Sequence, residues 1–299
     1  MTRLVNLGSL CIDNVYGVEN IASPGETVAS HSYEVFPGGK GLNQSLAAQL
    51  AGCSVFHIGC VGSDGIWLKD FLASKGVDVS HIRESDEATG HAVIQVDALG
   101  QNSIVIVGGS NRSISDADIE VALDLARDGW LLLQNEINDL GEILERSFAA
   151  GVKVALNVAP VDGREQDYSL SGLGMLIVNE IEAASLSSSS ESDPQSSLSI
   201  LCSRLPQTQV VLTRGNQGLL YGMGDKRLVM EATAVTAVDE TAAGDSFIGY
   251  LMASMIAGDP IEGSLRRASA AGARTVMRAG AASSIPSKSE VDLFLANRS

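Results

Sequence analysis

Short apolar runs alternate along the chain with stretches of helical spacing. "RLVNLGSL", "LNQSLAAQLA", "SVFHIGCVG" and "IWLKDFLASKG" come first, and "WLLLQNE", "NDLGEILERSFAAG", "VKVALNVAP", "GMLIVNE" and "TQVVLTRG" continue the series. Strands alternating with helices predict an α/β protein with a parallel sheet. Several of the strand-like runs end in polar groups, such as Gln-Asn-Glu, Asn-Glu and Thr-Arg-Gly. In open α/β sheets the C-terminal strand ends are where ligands bind.

Two segments break this rhythm. "ETVASHSYEVF" (26–36) and "GHAVIQVDALGQNSIVIVGG" (90–109) alternate apolar and polar side chains, the second with a turn at Leu99 to Asn102. They predict antiparallel strands with one solvated face, forming a small β appendage placed to cover a site. The serine-rich run 185–199, "SLSSSSESDPQSSLS", is the one low-complexity patch and predicts a solvated loop or frayed helix end.

Composition narrows the class. With 299 residues the chain can bury a large core, and 45% apolar residues, only 4% aromatics and 31 glycines suit an α/β protein better than a β-sandwich. A net charge of −16 argues against a nucleic-acid or anionic-membrane partner and leaves a small molecule. No signal peptide or apolar run of membrane length stands out, which predicts a cytoplasmic protein. Neither the four cysteines nor the four histidines fall at zinc or disulfide-framework spacing.

The chemistry concentrates in two places. In "AVDETAAGDSFIG" (237–249), Ala242, Ala243 and Gly244 strip side chains from a loop that enters an apolar helix, so backbone N–H groups can approach an anion closely. Asp245 in that first turn is either an ordinary helix cap or an acid beside an anion hole. The second arrangement suits phosphoryl transfer to an alcohol, the acid taking the hydroxyl proton. A Walker A loop is absent, because Lys40 in "GGKGLN" is followed by Gly41. The other place is "PGGKGLNQSLAAQLAG" (37–52), a glycine turn entering a helix.

Together these two motifs resemble the two signatures of the ribokinase-like (PfkB) carbohydrate kinase family. The likeness extends, in family order, through "GSLCID", "PGETV", "GGKGLNQS", "LLLQNE", "NEIEA", "VVLTRGNQG" and "RAGAASSIP", nearly the whole chain. It implies one α/β domain over 1–299, a central mostly parallel sheet flanked by helices, with a β-sheet lid inserted at about 14–37 and 88–110. The implied activity is ATP-dependent phosphorylation of a sugar, with D-ribose to ribose 5-phosphate the leading reaction. Another furanose, a ketose or a nucleoside is the rival acceptor, and a non-catalytic sugar-binding regulator the rival class.

The resemblance also implies roles. Asp245 would be the general base, with the N–H groups of Ala243 and Gly244 as the anion hole. The sugar would be held by Asp13, Gly39, Lys40, Gly41, Asn43 and Glu136, with Cys11 standing where the family pattern presents a sugar-contacting Asn. Asn179 and Glu182 would help place Mg²⁺ and the phosphates, largely through water. Thr213, Gly215 and Gly218 would form the loop beneath ATP, with Ser269 near the base or serving only helix packing. A K⁺ site would use the side chains of Asp239 and Ser284 and the carbonyls of Thr241, Thr275, Arg278 and Gly280. Glu240, Tyr250 and Trp67 are further departures from the pattern. The half-polar lid strands leave room for a homodimer.

Overall fold

The computed structural model describes residues 3–190 and 192–298. Among the described residues thirteen strands form two sheets. The chain opens with β1 (Leu4–Leu7), β2 (Cys11–Val18), β3 (Ser30–Gly38) and α1 (Lys40–Leu50). β4 (Val55–Val61), α2 (Ile66–Ser74) and β5 (Asp78–Glu84) follow, then the hairpin β6 (Gly90–Val96) and β7 (Asn102–Val107). The middle runs α3 (Asp116–Ala126), β8 (Trp130–Gln134), α4 (Leu140–Ala149), β9 (Lys153–Asn157), β10 (Met175–Asn179), α5 (Glu180–Ser187) and α6 (Pro194–Arg204). β11 (Gln209–Thr213), β12 (Leu219–Met223) and β13 (Lys226–Met230) precede α7 (Ala243–Ala257), α8 (Ile261–Thr275) and α9 (Lys288–Ala296).

The large sheet has the order β13-β12-β11-β10-β9-β8-β1-β4-β5 and is parallel except that β12 runs antiparallel to both its neighbours, β11 and β13. Strands such as "WLLLQ", "MLIVN" and "QVVLT" are apolar on both faces because helices cover both. One core packs α1, α2, α7, α8 and α9 on one face, and a second packs α3 to α6 on the other. From β1 the chain builds outward through β4 and β5 on one side and through β8 to β11 on the other. The reversal between β1 and β8 is a topological switch point, and the strand ends there open a crevice.

The small sheet, β3-β2-β6-β7, carries the two segments of alternating pattern. The first of them pairs from Ser30 rather than Glu26, because the facing strand β2 ends at Val18, which lies opposite Ser30. Residues 26–29 have no strand to join. The serine-rich run holds the end of α5 at Ser187, exposed residues such as Ser188, Ser190 and Ser192, and the start of α6 at Pro194, in line with a solvated loop or helix end, although Ser187 and Ser197 are buried. Their hydroxyls are satisfied internally, Ser187 Oγ to Ser189 Oγ at 2.6 Å and Ser189 Oγ to Ser197 Oγ at 2.6 Å.

Candidate active site

The start of α1 reaches the switch point by direct backbone contact. Gly39, with φ 93°, turns the chain into the helix, and Leu42 N–H donates to the Ser9 carbonyl at 2.9 Å. A side chain at Gly41 would collide with Ser9 N and lie 2.6 Å from Ser9 O, so only glycine allows this approach. The same turn gathers Glu136: its Oε2 accepts from the Ser9 hydroxyl and, at 3.0 Å, from Lys40 N–H. Ser9 Oγ in turn accepts from Gly41 N–H at 3.1 Å.

Around this turn lie the other residues assigned to the sugar. The Asp13 carboxylate rests on Gly38, where an added Cβ would overlap it. Burial, helped by the charges of Glu136 and Asp245, lifts the Asp13 carboxyl to about 7. Burial pulls the Lys40 ammonium down, but Asp245, Glu136 and Glu182 outweigh it and hold its pKa above the usual lysine value. Cys11 is buried, its thiol pushed up by burial and by Glu136 and Asp13, and Asn111 Nδ2 donates to its Sγ at 3.4 Å. Carboxylates, one ammonium and amides thus converge at the strand ends, a set able to grip several hydroxyls.

The raised Asp13 value has a consequence for stability. Folded Asp13 keeps its proton up to about 7, whereas an unfolded Asp releases it near 3.8. Between those values the folded state binds more protons, so stability falls as pH rises and the loss is complete above about 7. We expect the melting temperature to drop from pH 5 to pH 8 more steeply in the parent than in Asp13→Asn. Parallel slopes would show that Asp13 is not the titrating group.

Asp245 sits in the first turn of α7 and is 8% exposed. It makes no cap bond; the N-cap position is Ala242, in the left-handed region with φ 59°. Its carboxylate instead faces α1: Asn43 Nδ2 donates to Oδ2 at 3.0 Å and Gln44 Nε2 donates to Oδ1 at 2.9 Å. The two helices come this close through Gly249, whose missing side chain leaves room for Ala47 and Ala48. Before the helix, Ala243 N–H makes a 3.3 Å bond to the Glu240 carbonyl, and the space where a Gly244 Cβ would point is empty for 4 Å.

Asp239 clasps this loop. Oδ1 accepts from Thr241 N–H at 2.9 Å and Thr241 Oγ1 at 2.6 Å, and Oδ2 accepts from Gly280 N–H at 2.8 Å. Val238 N–H donates to the Val276 carbonyl at 2.7 Å, and Arg278 N–H to the Thr275 carbonyl at 3.1 Å. Asp239, Thr241, Thr275, Arg278 and Gly280 therefore lie on two stitched segments. Ser284 is buried, with its hydroxyl donating to Ala281 O at 2.7 Å. Among the described residues no group of three His, Cys, Asp or Glu side chains is arranged to hold a metal.

At the next strand ends, Asn179 and Glu182 form a capping box on α5. Asn179 Oδ1 accepts from Glu182 N–H at 2.9 Å, while Glu182 Oε2 accepts from Asn179 N–H at 2.9 Å and Oε1 from Asn179 Nδ2 at 2.8 Å. Burial raises the Glu182 carboxyl despite the Asn179 N–H and Lys40. Thr213 pairs beside Asn179 at the end of β11. Gly215 (φ 51°) and Gly218 (φ 84°) shape the following turn, and a side chain at Gly218 would overlap Met230 O. Ser269 Oγ lies 3.8 Å from Met230 Sδ, on the same side of the fold.

Of the further departures, Trp67 and Tyr250 lie off this cluster, whereas Glu240 belongs to the loop before α7. Glu240 and Trp67 are exposed, and Tyr250 is fully buried with its hydroxyl donating to Pro286 O at 2.8 Å. Sequence reasoning missed Ser9, Asn111 and a set of buried amides: Asn6, Gln44, Gln134 and Asn157. A signal existed for two of them, since Gln44 lies inside the glycine-turn motif and Gln134 ends the run "WLLLQ".

Comparison with known proteins follows the same lines. The model for "pfkB family carbohydrate kinase" matches residues 1–288. The ribokinase of Haemophilus influenzae is 36% identical over 301 residues, covering 98% of this chain and 98% of that protein. The ribokinase of Bacillus subtilis is 31% identical over 303 residues, covering 99% and 100%. The structure of Arabidopsis thaliana ribokinase complexed with ribose and ATP superposes with a TM-score of 0.87 at 30% identity, covering 99% of each chain.

Proposed function

The chain belongs to the PfkB family of carbohydrate kinases, and from that premise we propose that it transfers the γ-phosphoryl group of ATP to the 5-hydroxyl of D-ribose. The observation that carries this reading is Asp245, held by two amides between the sugar-side carboxylates and the side-chain-free loop before α7. The similarity to ribokinases along both full chains supports ribose as the acceptor.

In this reading Asp245 takes the hydroxyl proton as the oxygen attacks phosphorus. Asp13, Glu136, Asn43, Lys40 and the Gly39–Gly41 turn fix the sugar, with Cys11 lining the same pocket. The Gly244 N–H, at a helix start where no intrahelical carbonyl claims it, and the Ala243 N–H, now on a long 3.3 Å bond to Glu240 O, receive charge from the phosphates. Thr213, Gly215 and Gly218 lie beneath ATP, and Ser269 borders its base. Mg²⁺ would neutralise the phosphates. Both Glu182 oxygens already accept from Asn179, so this pair fits an ion that keeps its water ligands.

K⁺ belongs to the same reading. The Asp239 clasp brings the carbonyl-bearing segments Thr241 and Thr275–Gly280 together, and Ser284 lies just beyond. The lid supports a homodimer: β7 pairs only with β6, and its Ile104, Val105, Ile106 and Val107 are exposed. A cytoplasmic location completes the reading; no helix among the described residues is long and apolar enough to cross a membrane.

The test is an ADP-release assay over pentoses, hexoses, ketoses and nucleosides in matched K⁺, Na⁺ and organic-cation salts. Ribose is expected to give the highest kcat/KM, and K⁺ the highest rate. No turnover with any sugar would end the kinase reading, and equal rates in the three salts would remove the cation site. A one-chain mass by light scattering would remove the lid dimer.

A further inference from the structure

Behind Asp245 lies a buried chain of side-chain amides that touches none of the residues assigned to the sugar except through Gly41 and Asp245 itself. Asn6, Gln44, Ser45, His57 and Gln134 are all 0% exposed. Gln44 Nε2 donates to Asp245 Oδ1 at 2.9 Å and to Asn157 Oδ1 at 3.2 Å. Its Oε1 accepts from Gln134 Nε2 at 2.8 Å, and that nitrogen also donates to Asn6 Oδ1 at 3.0 Å. Asn6 Nδ2 donates to Gly41 O and to Ser45 Oγ, both at 2.8 Å, and Ser45 Oγ lies 2.8 Å from His57 Nδ1.

The polarity of this chain is fixed from two ends. A backbone carbonyl can only accept, so the bond to Gly41 O forces the Asn6 NH₂ toward α1 and leaves its Oδ1 as an acceptor. Gln134 must then present its NH₂ to Asn6, which directs the same NH₂ at Gln44 Oε1. Gln44 is left with its NH₂ toward Asp245. Independently, Asn157 Nδ2 donates to the Ile177 carbonyl at 3.2 Å, so Asn157 Oδ1 faces Gln44 and requires a donor there. Two backbone carbonyls, reached through different strands, impose one orientation on Gln44. Reversing it would set oxygen against the Asp245 carboxylate and against Asn157 Oδ1.

We propose that Gln44 is a positioning residue for the phosphoryl transfer, holding one oxygen of Asp245 from the buried side so that the other faces the acceptor hydroxyl. The inference rests on the reading of Asp245 as the base. On the same reading Asn43, whose amide meets Oδ2, turns to the sugar, and the bond from Gln44 is the one that persists through the reaction. Its partner amides are packed into strand ends at the switch point, so the carboxylate is held by the sheet as well as by its own helix. A base displaced by about 1 Å costs on the order of 10²-fold in rate.

The experiment compares the full-length parent, Gln44→Met, Gln44→Glu and Asp245→Asn, each checked by thermal unfolding, with ribose and ATP in a coupled ADP-release assay. Gln44→Met keeps the volume and removes the donor; kcat is expected to fall by about 10-fold to 10²-fold with KM for both substrates within about threefold. Gln44→Glu is expected to be equally impaired at pH 8 and to recover relative to the parent toward pH 6, where a protonated Glu restores an O–H donor to Asp245. Asp13, which titrates at about 7, and Lys40, Glu136 and Glu182 are present in the parent and in every Gln44 variant, so a recovery seen in Gln44→Glu and not in Gln44→Met belongs to position 44. Near-parental kcat in a folded Gln44→Met, or a pH-independent loss in Gln44→Glu, would overturn the proposal. If Gln44→Met does not fold, the pH dependence of Gln44→Glu decides. Full turnover by Asp245→Asn would sink the underlying reading; an inactive Asp245→Asn beside an unimpaired Gln44→Met would sink this inference alone.

Discussion

Asp245→Asn is expected to lower kcat for ribose by about 10²-fold or more, with KM for ATP changed by less than about twofold. A hundredfold loss corresponds to about 2.7 kcal/mol of transition-state stabilisation, within what a general base supplies. The substitution keeps the shape and removes the proton acceptor. It also replaces one carboxylate oxygen by an NH₂ group, so that one of the Asn43 and Gln44 donors keeps its acceptor while the other faces N–H bonds with no oxygen to meet. Asp245→Ala separates these effects, because it removes the base without adding the repulsion. Both variants should be nearly inactive with ribose while the side proposed for the nucleotide, with Asn179, Glu182 and the Thr213–Gly218 turn, is untouched. Steady-state kinetics decide the matter: a folded Asp245→Asn with near-parental kcat shows that proton removal happens elsewhere.

The same residues show what could be read from the chain and what could not. The alternation of apolar runs announced a parallel sheet because strands covered on both faces are apolar throughout, and β8, β10 and β11 are such strands. Glycine at 39 and 41 was legible as a turn, since close backbone approach leaves no other residue type. Asp245 was visible beside its small-residue loop but stayed undecided between cap and base. The facing amides that turn Asp245 away from a cap come from α1, some 200 residues earlier, and only packing brings them there. The buried amides were harder still. Asn6, Gln134 and Asn157 come from three strands that neighbour one another only through the order β9-β8-β1, and an amide at a strand end carries no spacing signature of its own. Register was beyond reach for β3, whose start depends on where β2 stops. Composition announced the exposed residues between α5 and α6, but not that Ser187, Ser189 and Ser197 bond one another there.

Gly249→Ala is expected to lower both the melting temperature and kcat, although in a helix alanine is intrinsically favoured over glycine by about 1 kcal/mol. The new methyl would overlap the Ala47 side chain, lie 2.6 Å from Ala48 N and 2.8 Å from Gln44 O. Carbon atoms pack at roughly 3.5 to 4.0 Å, so α1 and α7 must part by about 1 Å. The obstacles are backbone and a Cβ, which have no rotamer to move into, and overpacking of this kind costs about 1 to 3 kcal/mol. One turn back along each helix, the strain reaches the site: Asp245 precedes Gly249 by four residues, and Asn43 and Gln44 precede Ala47 and Ala48 by four. Bonds now at 3.0 and 2.9 Å would stretch past the ~3.5 Å limit at which they cease to orient the carboxylate. We therefore expect kcat to fall by about 10-fold to 10²-fold at temperatures where the variant remains folded. Gly263→Ala is the control. Position 263 also lies inside a helix, but nothing stands within 4 Å of its added Cβ, so that variant should keep or raise the melting temperature at unchanged activity. A Gly249→Ala protein as stable and as active as the parent would show that the helix contact does not set the geometry of the base.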